Sequence, residues 1–512
     1  MATESKSTPP IYSTEHTFKA KGEPLTYKAL AGWQTLYERE KPVAEIFHVA
    51  YLKQDSDSGS SSPHRPLTFV FNGGPGAASA YLHMGALGPR RIQFGPNGSL
   101  PASPVRLVDN AESWLPFSDL VFIDPVGTGF SRALPKDKEN TDPSKAGDPP
   151  KEASPESGGK AEDPPKEAPF WNVERDLKSL GEFIQGFLSR HKRWLSPIFI
   201  AGESYGGFRV ARLAKELQST FGVGLSGAIL ISPAIEFSLL ETSDYNLTTW
   251  ATLFPSYVAS AAHHGLSSWG EDLSSLLPRA ETFARQRLLP LLAMGEAMPE
   301  AERQAVYQDM AAGIGLSAEY IAQKGGRIDI SSFARELLRP QRQVVGLYDA
   351  SVTAVDPFPD RPTFEGSDPT LDGLDRLFTA AINSHLRDTL QVNTELTYHL
   401  LNFEVFKAWQ FNQKGEFKQG FIGAMDELRT SMALNPHMRV NIHHGLYDLV
   451  TPYFASNHLV DLMKLDPRLK DNLTLKHYRG GHMFYTWDPS RLEWFAAMQQ
   501  LYREAVPPEL RY

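Results

Sequence analysis

Ser204 sits between two glycines in Gly202-Glu203-Ser204-Tyr205-Gly206, directly after the apolar run Pro197-Ile198-Phe199-Ile200-Ala201. A serine hydroxyl is a weak nucleophile on its own. A sharp strand-to-helix turn lifts Oγ above a sheet when the residues two before and two after it are small, as Gly202 and Gly206 are. The N–H of Tyr205 would then open a helix and point to where negative charge develops on an attacked carbonyl oxygen. Such a serine needs a base and an acid that orients it, expected later in the chain in the order serine, Asp or Glu, histidine. Asp448 lies just past the strand-like run Arg439-Val440-Asn441-Ile442-His443, and His482 follows Leu473-Thr474-Leu475-Lys476-His477-Tyr478 in Gly480-Gly481-His482-Met483. Together they support acyl transfer: Ser204 attacks, His482 takes and returns the proton, and Asp448 holds the imidazole tautomer. His477 competes as base but falls inside the predicted strand. Asp124 competes as acid but precedes the serine and reads as a structural turn residue.

These side chains must be carried by strand ends on one edge of a sheet. Leu67-Thr68-Phe69-Val70-Phe71 is a short apolar strand running into Asn72-Gly73-Gly74-Pro75-Gly76, where glycine lets a backbone N–H approach a reacting oxygen. Asp119-Leu120-Val121-Phe122-Ile123 and Gly227-Ala228-Ile229-Leu230-Ile231-Ser232 are further unbroken apolar runs, as expected for strands covered on both faces. Alternation between Thr17 and Tyr51, as in Leu25–Leu30 and Ala44–Tyr51, predicts opening antiparallel strands. Pro135 to Pro169 is rich in proline, lysine, glutamate and glycine, repeats Asp-Pro-Pro-Lys-Glu-Ala at 148–153 and 163–168, and is predicted disordered. Helical spacing recurs over Pro278–Leu289, Pro299–Ala312, Ser331–Leu338 and Leu371–Leu390. The pattern predicts an α/β core at residues 1–232 and 394–512, with a mainly helical insertion at 233–393.

The ordered motifs extend further. Asn72-Gly73-Gly74-Pro75-Gly76, Asn110 with Ser113-Trp114, Asp124-Pro125-Val126-Gly127-Thr128-Gly129-Phe130-Ser131, Gly202-Glu203-Ser204-Tyr205, Gly445 with Asp448, and Gly481-His482-Met483 occur in that order. In them the chain resembles the serine carboxypeptidases, peptidase family S10, in a bacterial-type form. The resemblance implies the α/β-hydrolase fold, with a mostly parallel central sheet flanked by helices and, at the insertion 233–393, a cap over Ser204. It also implies a Ser204, Asp448, His482 triad and an oxyanion hole from the N–H groups of Gly74 and Tyr205. Asn72, Gly73 and Glu203 would hold a substrate's terminal carboxylate, with Met483 lining the leaving-residue side. Glu203 could serve there as a protonated donor, which predicts better cleavage of peptide acids below neutral pH. Two positions depart from the family. Ala86, ahead of Gly88-Pro89, stands where a second glutamate is common, and Val70 where a tryptophan is frequent. Arg90 and Arg91 follow and could supply charge instead.

The implied substrates are peptides with a free C-terminus, cleaved without metal or cofactor. Esterase or acyltransferase chemistry on the same machinery is one alternative, and a catalytically idle binding protein of the same fold is another. The 512 residues carry a net charge of −9, which argues against nucleic-acid partners. There is no cysteine, so disulfides and thiol catalysis are excluded. No apolar leader or bilayer-length run appears, which predicts a cytoplasmic location without membrane association, or a secreted or vacuolar one had a leader been removed. Gly222-Val223-Gly224-Leu225-Ser226-Gly227 precedes a strand, the reverse of a dinucleotide-binding loop, and the pairs His263-His264 and His443-His444 lack zinc-helix spacing.

Overall fold

The computed structural model describes residues 9–20, 24–54, 62–135, 168–361, 364–411 and 422–510. The predicted disordered insert falls almost wholly outside them; only Pro135 and its last two residues enter, the latter in a single 3-10 turn at Ala168–Phe170.

The strands β1 (Ile11–Lys19), β2 (Pro24–Glu38), β3 (Lys41–Lys53), β4 (Leu67–Phe71), β5 (Asp119–Ile123), β6 (Ile198–Glu203), β7 (Gly227–Ile231), β8 (Arg439–Gly445) and β9 (Leu473–Tyr478) share one sheet. Their spatial order is β1-β2-β3-β5-β4-β6-β7-β8-β9, with the short strand Arg132–Ala133 added against β3. The first three strands and β5 pair antiparallel; every later neighbour is parallel. The sequence places the opening strand from Thr17 on, but β1 begins six residues earlier because Ile11 already pairs with Gly32. This order, with the chain leaving β4 first to one side and then to the other, is the α/β-hydrolase arrangement. Its reversal opens a crevice beyond the carboxyl ends of the strands.

The parallel strands read as continuous apolar runs because both faces are covered. Phe69, Phe71, Ile198, Ile200, Ala228 and Leu230 enter one core cluster, and Val70, Phe199, Ala201, Ile229 and Ile231 enter another on the opposite face. Helix α1 (Val173–Arg190) opens with Asn172, whose side chain accepts the Arg175 N–H, and carries Glu174 and Asp176 in its first turn, where carboxylates favour the helix N-terminus. Helix α2 (Tyr205–Ser219) follows Ser204 directly.

Between β7 and β8 the chain is chiefly helical. Helix α3 (Leu247–His263) continues through Pro255, which is why its spacing is not apparent from sequence. The run predicted from Pro278 begins earlier, at Leu273, with Asp272 accepting the Ser274 N–H and Pro278 inside the helix. Helix α4 (Leu371–Ser384) is shorter than the periodicity suggests, because its end widens into a π-turn at His385–Thr389. Helix α3 and the helix from Leu273 share a cluster around Phe254, Tyr257 and Phe333, which reaches Tyr447, Leu449 and Trp487 beside the strand ends, whereas α4 packs through Leu374 and Phe378 into the cluster that contains Val70 and Phe199. Among the described residues no helix is long and apolar enough to cross a membrane.

Candidate active site

Ser204 has φ 62° and ψ −125°, a left-handed geometry that costs a residue with a side chain about 1–3 kcal/mol. Its N–H donates to Ile231 O at 2.9 Å, and its carbonyl accepts Gly207 N at 2.8 Å and Ala234 N at 3.1 Å, so both neighbouring elements hold the strained turn. Gly206 is required there, since a Cβ on it would stand 2.7 Å from Phe71 O. Unlike the buried residues around it, Ser204 is partly exposed.

His482 and Asp448 meet beyond the ends of β9 and β8. His482 Nδ1 lies 2.7 Å from Asp448 Oδ2, and both residues are buried. The other carboxylate oxygen accepts the N–H groups of Val450 at 2.9 Å and Thr451 at 3.0 Å. Thr451 Oγ1 adds a 2.6 Å bond to Oδ2. With four donors and a fixed orientation, Asp448 can direct a proton onto His482 Nδ1 and leave Nε2 free to accept one. Burial alone would lower the His482 pKa, but the Asp448 charge and hydrogen bond, with Glu203 adding to them, raise it above the ordinary value. The Ser232 hydroxyl, one residue past β7, donates to His482 O at 2.7 Å and ties the histidine turn to the strand beside Ser204. Among the described residues neither the Ser204 hydroxyl nor His482 Nε2 is engaged in a hydrogen bond; in an empty site such contacts commonly tighten only around substrate. His477 lies within β9 and bonds Asn457 at 2.9 Å, and the Asp124 carboxylate accepts the Ser79 N–H at 2.9 Å, so neither rival joins the pair.

The loop after β4 runs beside the start of α2. Gly73 packs so closely that a Cβ would lie 2.5 Å from Tyr205 N. Among the described residues, the N–H groups of Gly74 and Tyr205 donate to no protein acceptor and so are available as a donor pair. Arg209 on α2 fixes this loop. It is buried, pairs with Asp176 of α1 at 2.8 Å, and donates to Asn72 O at 2.6 Å and Gly73 O at 3.4 Å.

The groups assigned to a substrate carboxylate lie together but are already bonded to one another. Asn72 Nδ2 donates to Glu203 Oε2, and Asn72 Oδ1 accepts Leu82 N at 3.1 Å. The Tyr485 hydroxyl donates to Glu203 at 2.9 and 3.1 Å. Burial pushes the Glu203 carboxyl up to about 7; Asp448 adds to the rise, while His482, Tyr485 and Asn72 oppose it. Met483 is buried in the apolar cluster that contains Tyr485 and Phe378. Ala86 is buried too, its carbonyl accepting Asn110 Nδ2 at 2.5 Å, which gives the Asn110 motif a structural role. Arg90 and Arg91 belong to a small hairpin. Arg90 is 3.7 Å from Asp109, and Arg91 donates to Ile92 O at 3.0 Å.

Four residues at this site carry no sequence signal. Tyr485, Thr451 and Arg209 are ordinary residue types at unremarkable spacings. Tyr348, from the segment between β7 and β8, presents its ring edge-on to His482 at 5.3 Å and accepts His482 N–H on its carbonyl at 2.5 Å. Its neighbour Asp349 accepts Gly481 N–H at 2.9 Å. Only the motif around Ser204 could have directed attention to Arg209, one helical turn further on.

Residues 23–250 match the family described as serine carboxypeptidase, Peptidase S10. Over that stretch the chain is similar to this family. Serine carboxypeptidase-like 13 of Arabidopsis thaliana is 26% identical over 214 residues, 41% of this chain and 40% of that protein. Serine carboxypeptidase-like 5 of the same plant is 28% identical over 190 residues, 35% of each chain. The chain thus matches about two fifths or less of these relatives' lengths. A solved structure, proline iminopeptidase of Mycobacterium smegmatis, is similar over 96% of this chain and 99% of its own, with 14% identity and a TM-score of 0.33.

Proposed function

We propose that this chain is a serine-type carboxypeptidase that removes C-terminal residues from peptides through an acyl-enzyme. The observation that carries the reading is the buried 2.7 Å Asp448–His482 bond, at the sheet edge where Ser204 stands in its strained turn. In this mechanism Ser204 Oγ attacks the scissile carbonyl as His482 Nε2 takes its proton, and Asp448 stabilises the imidazolium. The N–H groups of Gly74 and Tyr205 receive the oxyanion. His482 then returns the proton to the leaving amine, and the same base activates the water that hydrolyses the acyl-enzyme. Every proton in the cycle moves between these side chains, water and substrate.

Asn72, Gly73 and Glu203 would hold the terminal carboxylate, Met483 would line the leaving-residue side, and residues 233–393 would act as the cap that selects side chains. Tyr348, packed on His482, supports a cap that reaches the reacting groups. A second reading, an esterase or acyltransferase, is favoured by one feature: Glu203 is already bonded to Asn72 and Tyr485, and Ala86 offers no second carboxyl. Incubating the protein with a mixed peptide pool and reading the products by mass separates the two. Stepwise loss from free C-termini, abolished in Ser204→Ala, is the carboxypeptidase result. Ester turnover with intact peptides would replace it by the second reading. Failure of a fluorophosphonate to label Ser204 in folded protein would remove both.

A further inference from the structure

Glu203 ends β6 beside the nucleophile and is 1% exposed, yet among the described residues no lysine or arginine bonds it. The groups facing it are few. Tyr485 comes from the 3-10 turn after β9, Asn72 from the loop after β4, and the charges of His482 and Asp448 from the turns beyond β9 and β8; Tyr81, on the short helix after the glycine-rich loop, lies within electrostatic reach. Tyr485 is itself fully buried, its ring stacked on Trp494 at 5.8 Å and its hydroxyl shared between the two carboxylate oxygens at 2.9 and 3.1 Å.

We propose that the Tyr485 hydroxyl is a positioning and specificity-determining group, which sets when Glu203 holds a proton and so when the site accepts an anionic substrate end. The inference rests on the reading of Glu203 as part of the carboxylate-binding end. A phenol O–H and an amide N–H can both donate to an ionised carboxylate, and both favour that form. In that state Glu203 is filled with donors and repels a second carboxylate. Once protonated, Glu203 has an O–H to give, and the Tyr485 hydroxyl no longer serves a charge and can turn toward the entering anion. Burial favours the protonated state, the His482 charge opposes it, followed by Tyr485 and Asn72, and the balance falls near neutrality. A second carboxyl, which could share a proton with Glu203, is missing because position 86 is alanine. The phenol is therefore, with Asn72, one of the two neutral donors that act on Glu203 beside the charge of His482.

Tyr485→Phe keeps the ring against Trp494 and removes only the donor. The infrared band of the protonated carboxyl that is lost in Glu203→Gln identifies Glu203 and can be titrated in otherwise native protein. Its midpoint should rise by about one pH unit in Tyr485→Phe, the size expected for losing one hydrogen bond to a charged group. A midpoint that stays or falls overturns the proposal, as does a variant whose only change is a lower thermal midpoint. In parallel, the ratio of kcat/KM for N-blocked dipeptide acids to that for their amides is followed against pH. If the ratio's midpoint moves up with the band, the proposal stands in full. If the band moves and the ratio's midpoint does not, the specificity half falls. If the band moves while acids and amides are cleaved alike at every pH, Tyr485 still controls the proton and it is the carboxypeptidase reading that fails.

Discussion

Asp448→Asn is the substitution whose effect follows most directly from geometry. Asp448 Oδ1 accepts two backbone N–H groups, at 2.9 and 3.0 Å, and Oδ2 faces His482 Nδ1 at 2.7 Å and the Thr451 hydroxyl at 2.6 Å. The asparagine amide must keep its oxygen at the Oδ1 place. The reverse orientation would set NH2 against two backbone donors, and the buried one, from Thr451, would be left unpaired at about 1–3 kcal/mol. The NH2 therefore falls at the Oδ2 place and donates to His482 Nδ1. That makes Nδ1 an acceptor, moves the imidazole proton to Nε2, and leaves Ser204 without a base. It also removes the charge that keeps the His482 pKa up. The expected loss in kcat at pH 7 is on the order of 10⁴, about 5 kcal/mol of transition-state stabilisation, as for the matching substitution in a serine protease. Thr451→Val, which removes one of the four donors but preserves the tautomer, should cost less than about tenfold. Steady-state turnover of an ester and an N-blocked dipeptide measures both, with fluorophosphonate labelling rates as a check that needs no substrate assignment. An Asp448→Asn enzyme within about tenfold of wild type would refute the tautomer argument.

Three further outcomes are expected. Ser204→Ala should reduce turnover by on the order of 10⁶ while the protein stays folded by circular dichroism; substantial residual turnover would point to another nucleophile. Arg209→Met leaves the buried Asp176 carboxylate without its partner and should destabilise the fold by about 3–5 kcal/mol, most of it recovered in the Arg209→Met/Asp176→Leu double variant, as read by denaturant unfolding. Equal stability of single and double variants would show that the pair is not the source. Glu203 has a folded-state pKa of about 7 against 4.5 for an ordinary glutamate. The stability linked to its proton is thus fully present below pH 4.5 and lost, by about 3 kcal/mol, as pH rises through 7. Glu203→Gln should accordingly gain stability over wild type at pH 8 and gain none at pH 4.5. A constant difference between those values would show that Glu203 does not titrate there.

The legible parts of the chain were those where one local rule leaves one solution. Runs such as Phe69–Phe71 and Ile198–Ala201 are apolar at every position because alternate side chains enter different cores, and all the buried strands named from that pattern occur where expected. Helix limits were less legible. Pro255 and Pro278 lie inside helices that tertiary packing maintains, and the π-turn at His385–Thr389 breaks the spacing that extended α4 to Leu390. Arg209 illustrates a different gap: an arginine on an amphipathic helix reads as solvated, and only the fold brings Asp176 and the carbonyls of Asn72 and Gly73 to it.

By itself, the order of residues determined which chemical groups are present and which backbone shapes are possible. A glycine-flanked serine after an apolar strand has few conformations open to it, and an aspartate and a histidine just past later strands are carried to the same sheet edge by any parallel pairing. Only the tertiary structure decided what those groups meet. The proton preference of Glu203 depends on its desolvation and on Tyr485, 282 positions away, and the surroundings of His482 depend on Tyr348 from a segment that no motif marks. Burial and distance set such interactions, and neither is a property of any stretch of chain read alone.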